Sequence, residues 1–332
     1  MKNWIQNLKK RRYIISILIF IVGFLIGSFA VIIYDGSNSQ LPSFIETRAS
    51  NKQFTYINPL LECNAGSDIS NGLQSFKDKI QNEINQLISS KNATFVSIYF
   101  RDMDNGPWFG INADEQFIPA SLLKVPVMMS YFKEAESDSN ILNKEISFIK
   151  PSNQDTPYFK TDTIVPGKTY TVNELIKFMI VNSDNEATNL LLENTTANNL
   201  NDVFNNLYTG ISVTNPSLTV QQYGTFFRIL FNASYLNDDD SEKALALLSE
   251  STFTQGLVAG VPQNIKIAHK YGERWDYNSS SKQLHDCGIV YYPKHPYLLC
   301  VMTRGTDFGQ LASVIADISK TVYNEVDRQL NN

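Results

Sequence analysis

Residues 117–132, FIPASLLKVPVMMSYF, set a serine and a lysine three positions apart, Ser121 and Lys124, at the head of an apolar run. If a helix opens at Ser121, the two side chains stand one turn apart on a shared face. The hydroxyl then has an amine to receive its proton. A serine hydroxyl is a poor nucleophile until an adjacent base activates it, and a lysine serves as that base only when burial or a second cation lowers its pKa. The start of a helix also offers free backbone N–H groups and a dipole that favour a developing oxyanion. The spacing by itself is common, since Ser130, Ser147 and Ser279 also precede lysines at 133, 150 and 282. Only Ser121 follows a predicted hairpin and a Pro119-Ala120 lead-in. Pro126 predicts a kink or a tightened turn in the helix.

Working outward, Leu73, Phe76, Ile80, Ile84 and Leu87 recur at helical spacing and predict an amphipathic helix over 71–90. Thr94 to Arg101 is rich in β-formers, and Asp104-Asn105-Gly106 turns it back into a second strand ending at Ile111. From Ser121 to about Ser251 the pattern is mainly helical, over 172–181, 185–193 and 220–231. Strands return over 265–271, 285–292 and 297–303, and Leu311, Val314, Ile318, Val322 and Val326 mark a closing helix. Strands at both ends with helices between predict an α/β (α+β) fold. One antiparallel sheet forms from both ends of the domain and is flanked by helices, with an all-helical subdomain inserted. The cleft between sheet and helices is the expected site.

Two further groups fall in that frame. Ser183-Asp184-Asn185 separates two apolar helical stretches, where a helix N-cap is the bland explanation. Lys270-Tyr271-Gly272 closes the strand from Ile265, where a lysine is ordinarily solvated. In the order Ser-x-x-Lys, Ser-Asp-Asn, Lys-x-Gly, these weak signals resemble the motif set of class A β-lactamases and penicillin-binding proteins. Residues 170–192 (YTVNELIKFMIVNSDNEATNLLL) and 285–305 (HDCGIVYYPKHPYLLCVMTRG) also look like segments of that family. The resemblance spans roughly Ser67 to Leu330.

The resemblance implies roles. Ser121 attacks a lactam or peptide carbonyl, and Lys124 takes its proton. Ser183 passes a proton to the leaving nitrogen, and Asn185 holds the substrate's amide side chain. Lys270 supports Ser183 and attracts the substrate carboxylate, with Tyr271 and Gly272 beside it. Backbone N–H groups of Ser121 and Glu273 form the oxyanion hole. The implied partner is a β-lactam or a D-alanyl-D-alanine peptide, with no cofactor and no metal.

Two departures stand out. The family's lactamases hydrolyse their acyl-enzyme with water activated by a glutamate, yet no Glu lies between Glu193 and Glu242, and Asp202 is the only acid between Glu193 and Asp238. Acylation is therefore supported and fast deacylation is not. Tyr271 replaces the usual Thr or Ser that binds the substrate carboxylate; a phenol is longer, so it is expected to be displaced, with Arg274 or Arg304 compensating. The readings left open are a β-lactamase, a penicillin-binding D-alanyl-D-alanine peptidase, and a decayed binding or scaffold protein that kept the fold.

The chain of 332 residues is 43% hydrophobic with a net charge of −5, which provides no basic field for nucleic acid. Residues 13–34 run without a charge, long enough to cross a bilayer, behind Lys2, Lys9, Lys10, Arg11 and Arg12. This predicts a cytoplasmic basic tail (1–12), a transmembrane anchor (13–34), a linker (35–53) and an extracellular or periplasmic domain (54–332). A cleaved signal peptide with its site near Ser28-Phe29-Ala30 is the alternative. Cys63, Cys287 and Cys300 make no disulfide scaffold; Cys287 and Cys300 fall on neighbouring strands, and buried free thiols are expected. His269, His285 and His295 lack metal-ligand spacing.

Overall fold

The computed structural model describes residues 47–48, 54–62, 71–90, 92–104, 106–152, 156–195, 197–207 and 217–331. The chain divides into two units, Met1–Phe44 and Ile45–Asn332, and all described residues belong to the second. The expected tail over 1–12, the anchor over 13–34, most of the linker over 35–53, and Cys63 lie outside the described residues. Among those described, no helix is long and apolar enough to cross a membrane.

A five-stranded antiparallel sheet organises this unit. Its strands are β3 (Phe95–Asp102), β4 (Trp108–Ile111), β7 (Ile267–Asp276), β8 (Ser281–Val290) and β9 (Tyr297–Gly305), in the order β4-β3-β9-β8-β7. The two ends of the domain meet where β3 pairs with β9, Ile98 opposite Val301. Both faces are covered. On one side lie α1 (Asn71–Ser89) and α8 (Phe308–Asn331), which bury Phe76, Ile80, Ile84, Val314, Ile318 and Val322. Each such side chain contributes about 1.5–3 kcal/mol.

The other face carries the helical subdomain: α2 (Lys124–Ala135), α3 (Val172–Val181), α4 (Asn185–Asn194), α5 (Ala197–Asn206), α6 (Val220–Phe231) and α7 (Asp238–Ser249). The starts of α3 and α6 coincide with the expected positions because each carries a capping box, Thr171 with Glu174 and Thr219 with Gln222. The subdomain is not wholly helical, since β5 (Glu145–Phe148) pairs with β6 (Lys168–Thr171). Two short strands, β1 (Thr47–Arg48) and β2 (Leu60–Glu62), pair as well, so the expected linker contains a strand. The N–H groups of Thr55, Tyr56 and Ile57 donate to the Glu242 carboxylate on α7 at 2.8, 2.8 and 2.9 Å and fix the start of the domain.

Two local readings change. Cys287 and Cys300 face each other across β8 and β9, with Cα atoms 4.0 Å apart, and form a disulfide instead of free thiols. Adjacency of the strands was legible but register was not, and a one-residue slip would have sent the two thiols to opposite faces. At the head of α2, Ala120–Leu123 form a tighter 3₁₀ turn before the α-helix opens at Lys124. Pro126 has no N–H to give the Leu122 carbonyl four residues back. The Tyr223 hydroxyl on α6 donates there instead, at 3.0 Å.

Candidate active site

The 3₁₀ turn sets the position of Ser121. Three residues per turn bring positions i and i+3 into eclipse, so Ser121 lies over Lys124. The edge strand β7 presses against this turn at Gly272. A Cβ there would stand 2.7 Å from the Pro119 carbonyl oxygen and 3.1 Å from the Leu122 nitrogen, so only glycine permits the approach. Gly272 and Glu273 thereby place the β7 backbone beside the Ser121 turn.

Ser183 comes from the α3–α4 connection, with a left-handed backbone (φ 54°) that is uncommon for a residue with a side chain. Asp184 holds this turn in place. It caps α4 by accepting from the Glu186 N–H at 2.9 Å, and it also accepts from Thr163 Oγ1 (2.9 Å) and the Ile164 N–H (2.8 Å). The middle residue of Ser-Asp-Asn therefore serves the scaffold, and its neighbours face the cleft.

Lys124 Nζ donates to the Ser183 carbonyl at 2.5 Å, to Ser183 Oγ at 3.2 Å and to Asn185 Oδ1 at 2.7 Å. Lys270 Nζ donates to the same Ser183 Oγ at 2.8 Å and to the Tyr271 carbonyl at 3.2 Å. One hydroxyl is thus held between two buried amines. Burial lowers the Lys124 pKa to about 7, against the opposing pull of Asp184 and Glu273. Burial, followed by the neighbouring Lys124 charge, pushes Lys270 well below the ordinary lysine range. Ser121 stands at the rim of this network, and among the described residues nothing hydrogen-bonds to its Oγ. It opens onto a cleft of about 360 Å³ shared with Ser183, Asn185, Tyr271, Glu273 and Arg274.

Tyr271 is buried in the wall of the cleft. It is 2% exposed, stacks on Phe253 with ring centroids 4.1 Å apart, and carries the Lys270 amine 4.5 Å above its ring. Burial raises the pKa of its phenol, which reaches Ser183. Glu273, expected only as a backbone donor, also acts through its side chain. The carboxylate accepts from the N–H groups of Tyr158 (2.6 Å) and Phe159 (3.3 Å) and holds that segment at the cleft, while burial raises its pKa. No sequence signal marked this, because the partners are backbone groups over a hundred residues away.

Arg274 lines the cleft. Arg304 does not: it pairs with Glu115 at 2.6 Å and the Gln116 carbonyl at 2.5 Å, over the Phe117 ring. Asp202 is exposed on α5 and acts on the Tyr235 phenol, whereas Leu200 and Phe204 of that helix face Ser121. They line a second cavity of about 270 Å³ behind Ser121, and among the described residues no carboxylate borders it. The histidines stand elsewhere: His269 pairs with buried Asp286 at 2.8 Å, His285 meets the Ile118 carbonyl at 3.2 Å, and His295 lies 3.5 Å from Asp104. Among the described residues no cluster of ligands suits a metal ion.

The fold recurs in solved structures. PBP-A superposes with a TM-score of 0.63 at 23% identity, covering 75% of this chain and 96% of that one. An acyl-enzyme complex of a PBP-A mutant with penicillin G gives 0.63 at 22%, covering 76% and 97%. A class A β-lactamase representative from Bacteroides cellulosilyticus gives 0.65 at 21%, covering 76% and 98%. No curated protein matches in sequence. The profile of the Beta-lactamase enzyme family matches residues 79–326, from the first helix through all five sheet strands and both lysines, and this chain belongs to that family.

Proposed function

We propose that the domain is a penicillin-binding acyl-transfer enzyme that forms an ester on Ser121 and releases it slowly. The observation that carries this reading is the Ser183 hydroxyl held between the amines of Lys124 and Lys270. Neutral Lys124 takes the Ser121 proton as Oγ attacks the carbonyl carbon, and the developing oxyanion meets the N–H groups of Ser121 and Glu273. The C–N bond then breaks, and Ser183 gives its proton to the departing nitrogen while drawing one from the adjacent amines. The product is an ester on Ser121 and a free amine. Arg274, which lines the cleft, attracts the carboxylate of the substrate, a D-alanyl-D-alanine peptide of the cell wall or the β-lactam that mimics it.

Slow release follows from the lining of the second cavity, which among the described residues provides no carboxylate to activate water. The solved penicillin G acyl-enzyme of a protein with the same fold supports a lactam as the probe. We place the domain outside the membrane, tethered by residues 13–34 with the N-terminus in the cytoplasm. The uncharged run, its basic flank and the Cys287–Cys300 disulfide, a bond favoured in oxidising compartments, support that placement.

Intact-protein mass spectrometry after incubation with penicillin G tests the reading. The wild-type chain is expected to gain one penicillin that persists for hours, and Ser121→Ala to gain none. A folded wild type that stays unlabelled under excess drug overturns the enzyme in favour of a scaffold, and loss of the adduct within seconds makes it a β-lactamase.

A further inference from the structure

The mechanism above leaves the 270 Å³ cavity behind Ser121 without an occupant. Leu123, Val127, Leu192, Leu200 and Phe204 form its walls, and Ser121, Lys124, Asn185 and Thr188 its polar end. Leu200 and Phe204 stand one turn apart on α5 and are both buried, while Asp202 between them faces solvent. Two of the polar groups at the end of the cavity are already engaged. Thr188 Oγ1 donates to the Asp184 carbonyl at 2.6 Å, and the Lys124 amine donates to Ser183 and Asn185. The walls are mainly apolar side chains, and an apolar space of about 150 Å³ is large enough for benzene.

Ser121 and Asn185 line this cavity and the front cleft alike. A substituent on an acyl group esterified to Ser121 therefore enters the cavity by passing Asn185. We propose that the cavity is an acyl pocket, and that the enzyme selects substrates whose acyl part carries an apolar substituent larger than a methyl group. The inference rests on the acyl-enzyme reading. The polar front cleft, with Arg274 and Lys282, takes the side of the substrate that departs. An occupied pocket also keeps water from the ester and prolongs its life.

Penicillins differing only in a straight alkanoyl side chain, from acetyl to decanoyl, test this on the full chain. The second-order labelling constant is expected to rise about fourfold per added methylene, the gain of burying one such group, and then to level off when the cavity is full. Leu200→Trp, which occupies the cavity, moves the levelling point to shorter chains. Leu192→Trp at the exposed rim makes the same test if Leu200→Trp does not fold, with thermal melting as the check. Labelling that is independent of chain length, or a levelling point unmoved in a folded variant, overturns the pocket while leaving the acyl-enzyme intact. Absence of an adduct with every member of the series overturns the acyl-enzyme itself.

Discussion

Lys124 owes its chemistry to burial. With its pKa lowered to about 7, the amine loses its proton as pH rises through neutrality, and in the proposed acylation only the neutral form can accept the Ser121 proton. The rate constant for labelling by penicillin is therefore expected to rise with pH up to about 7 and to level above it. Lys124→Ala should lower it by about 100- to 10,000-fold at every pH and remove the step, since a positioned base contributes that much. Stopped labelling reactions between pH 5.5 and 9 measure both, and a profile that is flat in the wild type would assign the base elsewhere. At this scale, spacing and order singled out Ser121, Lys124, Ser183, Asn185 and Lys270, and the structure brings the Ser183 hydroxyl between the two amines. Spacing and order did not disclose that Asp184 ties the 163–164 segment to α4, that Glu273 holds Tyr158 and Phe159, or that Tyr271 stacks on Phe253. Each of those contacts joins residues far apart in the chain, and nothing local encodes the partner.

Elements show the same division. Lys270, Cys287, Cys300 and Tyr99 stand in one row across β7, β8, β9 and β3. Directly opposed residues share a face, so the disulfide fastens the row that carries the second amine. Replacing both cysteines with alanine is expected to cost about 2–4 kcal/mol of stability, the usual worth of a disulfide closing a loop of this size. Urea denaturation of the two forms checks it, and an unchanged midpoint would make the bond dispensable. Helices with capping boxes were readable at their starts, because a cap is a contact between neighbours in sequence. The hairpin extension of β7 and β8 over 272–284 was not, since its polar side chains carry no alternating burial beyond the sheet. The helix α7 fell within the stretch read as mainly helical but was not delimited, although Asn237 caps it and Asp238, Asp239 and Asp240 fill its first turn.

At the scale of the molecule, acid should unfold this domain in part through His285. The ring is fully buried and burial lowers its pKa to about 3. Nε2 donates to the Ile118 carbonyl, and Nδ1 has no partner among the described residues. Unfolded, a histidine titrates near 6.5, so below that pH the unfolded chain binds a proton that the folded one refuses. Stability therefore falls as pH drops from about 6.5 toward 3, by up to about 4 kcal/mol for this group. His285→Gln is expected to flatten that part of the curve in urea titrations at stepped pH, and an unchanged slope would assign the loss to other groups.

What the sequence by itself determined is the main strands and helices that frame the site and the order of the chemical groups along them. Amphipathic period, caps and turn residues act between near neighbours, and they sufficed to predict one sheet built from both ends around a helical insertion. Tertiary structure alone decided which groups meet. The register of β8 on β9 made the disulfide, the press of Gly272 on the 3₁₀ turn brought the second lysine to Ser183, and the orientation of α5 turned Leu200 and Phe204 toward Ser121 and Asp202 away. Those outcomes depend on long-range packing and on how far each group is taken out of water, which sets the state of both lysines and has no signature in local spacing.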